Sequence, residues 1–264
     1  MPHDDHETNR AAWNEMVEVR FKHRDYRVKE FLDGHSTLKS IELAEVGDVH
    51  GKSLLHLMCQ FGLDTLSWAR LGALVTGVDI SDKSIERAEE LKRTTGLPAM
   101  FVRSDVLDLI GRIDRTFDIV FQSYGTLCWI SDLTRWARVV AHFVKPGGIF
   151  YIIDTHPIAY IHEVPDGSYF DSAPTRSTNE RDYCDRSYVI NKELVEWQHP
   201  LSQVINALIQ AGLQIESVNE FNKGYYPVQE DWYEQDGYWY PPGGPPRYPL
   251  MFSLRARRSG ETDA

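Results

Sequence analysis

Asp79 ends the apolar run Ala73–Asp79, and seventeen residues before it Gly62 closes the turn Leu54-Leu-His-Leu-Met-Cys-Gln-Phe-Gly62. A carboxylate at the tip of a buried strand, beside a turn that ends in glycine, is placed to accept hydrogen bonds from both hydroxyls of a ribose. The competing reading is that Asp79 helps to cap the next helix, although Ser81 already supplies a good N-cap. With Asp79 on the sugar, Ile80 lies against an adenine face. Ser104, Asp105 and Val106 follow the next apolar run, where a carboxylate either meets the adenine amino group or caps a short helix. His56, Met58, Cys59, Gln60 and Gly62 form the first turn, whose backbone amides face a ligand at the carboxyl ends of the strands. Gln122 and Ser123 follow the run Phe117–Phe121.

Two histidines are candidate general bases, because an ordinary imidazole titrates near neutrality. His156 follows the run Gly148–Ile153, and His199 sits at the return into a helix. Each is weighed against a purely structural role. Trp13, Trp129, Trp197, Tyr226 and Trp239 are candidate walls of a substrate pocket. A loop from Gly224 to Pro249 is dense in Tyr, Trp, Pro and Gly, and packs either on a cationic or aromatic ligand or on the sheet edge. Cys59, Cys128 and Cys184 have neither metal spacing nor a disulfide framework, so no metal is expected and a reducing cytoplasm is the default.

Short apolar runs alternating with amphipathic stretches must position these residues. The runs Ser53–Met58, Ala73–Asp79, Ala99–Val102, Phe117–Phe121 and Gly148–Ile153 have the length of strands buried on both faces. Leu63–Leu71, Asp82–Thr94 and Asp132–Phe143 have helical periodicity. That alternation predicts a parallel sheet with helices on both faces. Ser81 starts the second of these helices and Gly96-Leu-Pro98 stops it; Pro146-Gly-Gly148 is a tight turn. Residues 157–199 read as a substrate-cap insertion, with a hairpin pairing Tyr188–Ile190 with Leu194–Trp197. Leu201–Ala211 reads as a helix, and Leu213–Phe221 and Leu250–Ala256 as the final strands. The divisions are an N-terminal helical lid (1–50), a core (51–156), the insertion (157–199), a C-terminal part of the core (200–257) and a disordered tail (258–264). Asn14 and Trp13 belong to the lid.

With 264 residues and a hydrophobic content of 42%, the chain can bury a large core without staples. Its net charge of −11 disfavours a nucleic-acid partner. No apolar run is long enough to span a membrane, and the polar start is not a signal peptide. A monomer or homodimer is expected.

Five motifs, in order, resemble those of class I S-adenosylmethionine-dependent methyltransferases: Gly51–Gly62, Thr76-Gly-Val-Asp-Ile-Ser81, Arg103-Ser-Asp-Val106, Phe117-Asp-Ile-Val-Phe121 and Lys145-Pro-Gly-Gly148. The resemblance covers residues 50 to 156. It implies a doubly wound, Rossmann-like α/β fold with a seven-stranded mixed sheet whose last strand is antiparallel. It also implies S-adenosyl-L-methionine as cofactor, methyl transfer to an O or N atom of a small-molecule acceptor, and Gln122 and Ser123 as cofactor or substrate contacts beneath the transferred methyl. One departure stands out. The family opens with an acidic residue and a Gly-x-Gly-x-Gly pattern, whereas here His56 takes the acidic place and Met58 and Gln60 replace two glycines. The turn is similar to the His-Leu-x-Cys-x-Phe-Gly of a small-molecule subgroup. Met58 and Gln60 demand an altered turn or touch the cofactor with their side chains, and His56 is a candidate donor to the methionine carboxylate. The altered turn motivates a second reading, an inactive cofactor-binding or interaction protein. It argues against a third, a nicotinamide-linked oxidoreductase, because a pyrophosphate needs the missing glycines.

Overall fold

The structure is a computed structural model and describes residues 4–159, 168–170 and 173–260. Three helices come first: α1 (Asp5–Arg20), α2 (Val28–Leu32) and α3 (Ser40–Val46). The alternating core follows as β1 (Ser53–Leu57), α4 (Leu63–Arg70), β2 (Leu74–Asp79), α5 (Asp82–Thr95), β3 (Ala99–Arg103), β4 (Phe117–Ser123), α6 (Leu133–Phe143) and β5 (Val144–Thr155). A small antiparallel pair, β6 (Thr175–Ser177) and β7 (Leu194–Glu196), precedes α7 (Leu201–Gln210) and β8 (Leu213–Phe221). The hairpin β9 (Tyr233–Gln235) and β10 (Tyr238–Tyr240) leads to β11 (Met251–Arg258).

The seven-stranded sheet runs β3-β2-β1-β4-β5-β11-β8. The first five strands are parallel, and β11 is antiparallel to both neighbours. Alternation along each strand splits the core in two. Leu55, Leu57, Val120 and Phe150 pack under α6 and α7, whereas Leu54, Ile119, Phe121 and Tyr151 pack under α3 and α4. The reversal of strand order between β1 and β4 opens a crevice at their carboxyl ends, the ligand position in such sheets.

Local chemistry sets the helix ends. Ser81 Oγ accepts from Ser84 N at 3.0 Å, and Gly96 ends α5 in the left-handed conformation. Pro146-Gly147-Gly148 is an outward bulge within β5 rather than a turn before it, as the register with β4 jumps from Phe117↔Val144 to Ile119↔Ile149.

α1 ties the core to the insertion. Asn14 Oδ1 accepts from Ser81 Oγ (2.7 Å) and Lys83 N (3.1 Å) at the start of α5. The Asn9 side chain exchanges hydrogen bonds of 2.7 and 2.9 Å with the Val195 backbone, standing in for a third strand beside β7. The expected hairpin of 188–190 with 194–197 is corrected: β7 pairs with β6, and Val189 bridges Arg181. A carboxylate decides this, since Glu15 accepts from Asn191 N at 2.8 Å and holds the intended turn against α1. The expected tail starts too early, as β11 runs through Arg258; residues 261–264 lie outside the described residues.

Candidate functional site

The first turn keeps the backbone of a glycine turn without the glycines. Met58 has φ 56°, Gln60 φ 50° and Gly62 φ 78°. A side chain in this left-handed region costs about 1–2 kcal/mol. Bonds that only this shape allows offset the cost. Cys59 N donates to Val78 O (2.8 Å), Gln60 N to Asp79 Oδ2 (2.8 Å), and Gln60 Nε2 to the Tyr26 hydroxyl (3.1 Å). Met58, Cys59 and Gln60 line a cavity of about 1530 Å³ at the carboxyl edge of the sheet.

Asp79 sits at one end of that cavity, buried, with Oδ2 on Gln60 N and Oδ1 accepting from Ser81 N at 2.8 Å. Burial pushes its carboxyl up to about 6, against the pull of the two amides. Each oxygen retains a second lone pair for a ligand hydroxyl. Ile80, Ser104, Asp105 and Val106 continue the wall. Asp105 serves as a cap, accepting from Leu107 N at 2.8 Å, and its other oxygen meets His6 Nδ1 of α1. That contact raises the His6 imidazole above its ordinary value.

His56, Ser123 and Asp64 meet at the junction of β1, β4 and α4. His56 Nδ1 is 2.8 Å from Thr65 Oγ1, and Ser123 Oγ stands 3.4 Å from His56 Nε2. Burial drives the imidazole down to about 4, so it is neutral near pH 7. Ser123 Oγ donates to Asp64 Oδ2 at 3.1 Å, and Thr37 Oγ1 donates to Asp64 Oδ1 at 2.5 Å.

Beyond this junction the cavity widens into an aromatic chamber. Trp13 and Trp129 meet edge to face at 5.4 Å. Tyr124, Tyr225, Tyr226 and Tyr183 run ring to ring at 4.6, 4.7 and 5.0 Å, and Trp239 adds to the lining. Arg20, buried at the end of α1, lies between the Trp13 and Tyr183 rings and donates from Nε to Asp182 Oδ2 at 2.9 Å.

Five expected site residues do not line this cavity. Gln122 is buried beneath it, donating to Thr126 Oγ1 and accepting from Trp136 Nε1. Gly62 serves packing, as a Cβ there would come within 2.7 Å of the Phe101 ring. His156 Nε2 faces Glu220 Oε1 at 2.9 Å, and its Nδ1 accepts from Ile158 N. His199 Nε2 donates to Ile130 O at 2.7 Å. Neither histidine is in place to act as a base. Trp197 points away because successive strand residues alternate faces: Glu196 lines the cavity, and Trp197 packs with His199 beside Asp154. The cavity does gather His56, Met58, Cys59, Gln60, Asp79, Ile80, Ser104, Asp105, Val106, Ser123, Trp13, Trp129, Tyr226 and Trp239.

Sequence reading missed Asp64, Arg20, Tyr26, Tyr183 and Glu196. Asp64 alone carried a local signal, a carboxylate two residues past the turn glycine in the first turn of a helix. The others come from segments with no motif.

A family model described as "Methyltransferase domain" matches residues 55–152. The ubiquinone biosynthesis O-methyltransferase of Saccharophagus degradans is 26% identical over 61% of this chain and 66% of its own length. That of Photorhabdus laumondii is 27% identical over 59% of this chain and 63% of its own. The chain thus spans less than two thirds of the length of these relatives. Among solved structures, the DhpI–SAH complex superposes with a TM-score of 0.59 at 18% identity, covering 99% of this chain and 100% of that one. An S-adenosylmethionine dependent methyltransferase from Mesorhizobium loti gives 0.54 at 21% identity, over 86% of this chain and 100% of that one. Residues 55–152 thus match the methyltransferase-domain family model, and the fold of the chain is that of the class I S-adenosylmethionine-dependent methyltransferases.

Proposed function

We propose that the protein transfers a methyl group from S-adenosyl-L-methionine to an oxygen or nitrogen atom of a small organic acceptor. The observation that carries this reading is one continuous cavity with two unlike ends. A strand-tip carboxylate and an apolar wall suit an adenosyl group, and an aromatic chamber suits a second ligand. A volume of about 1530 Å³ exceeds the several hundred Å³ that one drug-sized ligand needs. Asp79 would hold the ribose, Ile80 and Val106 the adenine faces, and the Met58–Gln60 turn the sulfur-bearing chain. The bound cofactor supplies an electrophilic methyl on a sulfonium.

The chain's own contribution is alignment and dryness. α1, the β6–β7 pair and the 224–240 segment wall the chamber, which excludes water and holds the acceptor in line. With His156 and His199 turned away, alignment carries the rate. The relatives that match are O-methyltransferases, which favours oxygen.

No helix among the described residues is long and apolar enough to cross a membrane. The net charge favours a protein with no nucleic-acid partner, and the widely spaced thiols of Cys59, Cys128 and Cys184 favour a cytoplasmic one. Titration calorimetry with S-adenosylhomocysteine, then turnover against a panel of phenols and amines read by mass spectrometry, tests the proposal. Saturable binding with a methylated product is expected. Absence of binding overturns it, and binding without turnover on any acceptor favours the inactive reading.

A further inference from the structure

Resting on the cofactor reading above, we infer that Asp64 supplies the negative charge that receives the cofactor's α-ammonium group, replacing the acidic residue that His56 displaces at the end of β1. His56 cannot do this itself. Its ring is buried, its Nδ1 is engaged with Thr65 Oγ1, and a neutral imidazole carries no charge to offer.

The charge has moved sideways by one side chain. Ser123 Oγ lies 3.4 Å from His56 Nε2 and 3.1 Å from Asp64 Oδ2, so one hydroxyl spans the old position and the new. All three side chains line the cavity. The bonds to Asp64 in the structure come from two hydroxyls, Thr37 Oγ1 on Oδ1 and Ser123 Oγ on Oδ2. Among the described residues no Lys, Arg or His forms an ion pair with it. Two bonds leave further lone pairs on a carboxylate.

Three other carboxylates of the cavity are committed elsewhere. Asp79 is held by the Gln60 and Ser81 amides, Asp105 faces His6, and Asp182 neutralises Arg20. A part-buried carboxylate bonded only by hydroxyls gains most from a cation, and an ammonium with three donors fits it. The β1–β4 junction is where the sheet order reverses, so the amino-acid end of an adenosyl ligand gripped at Asp79 falls beside Asp64.

Calorimetry with two probes tests this in the full chain. S-Adenosylhomocysteine carries the α-ammonium, and 5′-methylthioadenosine lacks the whole amino-acid end. Asp64→Asn is expected to weaken S-adenosylhomocysteine by about tenfold or more, and 5′-methylthioadenosine by less than about threefold. The exchange variant His56→Glu/Asp64→Asn, which returns the acid to β1, is expected to regain most of the lost affinity. Equal losses for both probes, or an unchanged S-adenosylhomocysteine affinity in Asp64→Asn, overturn the inference and leave the cofactor reading standing. So does an exchange variant that binds 5′-methylthioadenosine normally but stays weak for S-adenosylhomocysteine. A wild-type protein that binds neither probe sinks the cofactor reading itself.

Discussion

The two ends of the cavity are built in opposite ways. At the Asp79 end the wall residues sit at the tips of their strands or on the turns that leave them, and the caps that shape those turns close within a few residues, such as Ser81 N to Asp79 and Ser84 N to Ser81. At the chamber end the bonds join distant segments: Asn9 to Val195, Arg20 to Asp182, Glu15 to Tyr188 and Lys39 to Gly237. The first end is a by-product of making the sheet. The second exists only when α1, the insertion and the β9–β10 region have all docked. Cofactor binding and acceptor binding should therefore fail separately.

The largest effect should come from cutting the long-range end. Asp182→Ala leaves the buried Arg20 cation unpaired and is expected to cost about 3–5 kcal/mol in urea denaturation, while calorimetry still registers S-adenosylhomocysteine. A loss below about 1 kcal/mol would mean that this pair does not hold the chamber together. Next comes a pH effect under the chamber. Burial pushes Glu42 up to about 7, with Tyr124 OH donating to Oε2 at 2.8 Å. Because the folded state keeps this proton more tightly than the unfolded chain, stability falls as pH rises from about 4.5 to about 7. Glu42→Gln should flatten that fall by roughly 3 kcal/mol, read as urea midpoints at about pH 4 and about pH 8.

At the other end, Asp79→Ala should weaken S-adenosylhomocysteine by about 1–3 kcal/mol and, through the Gln60 and Ser81 amides it releases, lower stability by less than Asp182→Ala does. If both variants lose stability and affinity together, the two ends form one cooperative unit and the contrast fails. The smallest effect is at the latch between α1 and the segment that follows β3. Asp105 raises the His6 imidazole, so the pair's stabilisation is complete below the ordinary value of 6.5 and disappears as pH rises through the folded value. His6→Ala should cost about 0.5 kcal/mol at about pH 6 and nothing at about pH 9, measured by denaturation.

The same contrast explains what was legible. Asp79, Ile80 and Ser81 could be placed from the residues because a strand tip and an N-cap are local events. The glycine-poor turn was only half legible. That Met58 and Gln60 would adopt φ of 56° and 50° follows from the amide bonds their neighbours make with Val78 and Asp79, on another strand. Trp197 was assigned to the pocket and Glu196 overlooked, a one-residue error in a strand whose faces alternate. His156 and His199 carry the right chemistry at the right distance along the chain, but Glu220 and the Ile130 carbonyl claim them.

By itself the sequence determined the order of strands and helices, the antiparallel last strand implied by the motifs, and the carboxylate at the tip of β2. Periodicity, capping and turn chemistry act within a few residues and survive in any compact arrangement. Only the tertiary structure decided which aromatic rings share a wall, which histidines face away, and that Asp64 stands beside His56, bridged to it by Ser123. Those are matters of side-chain direction and of contacts between segments as distant in sequence as Lys39 and Gly237, fixed by packing rather than by any local preference.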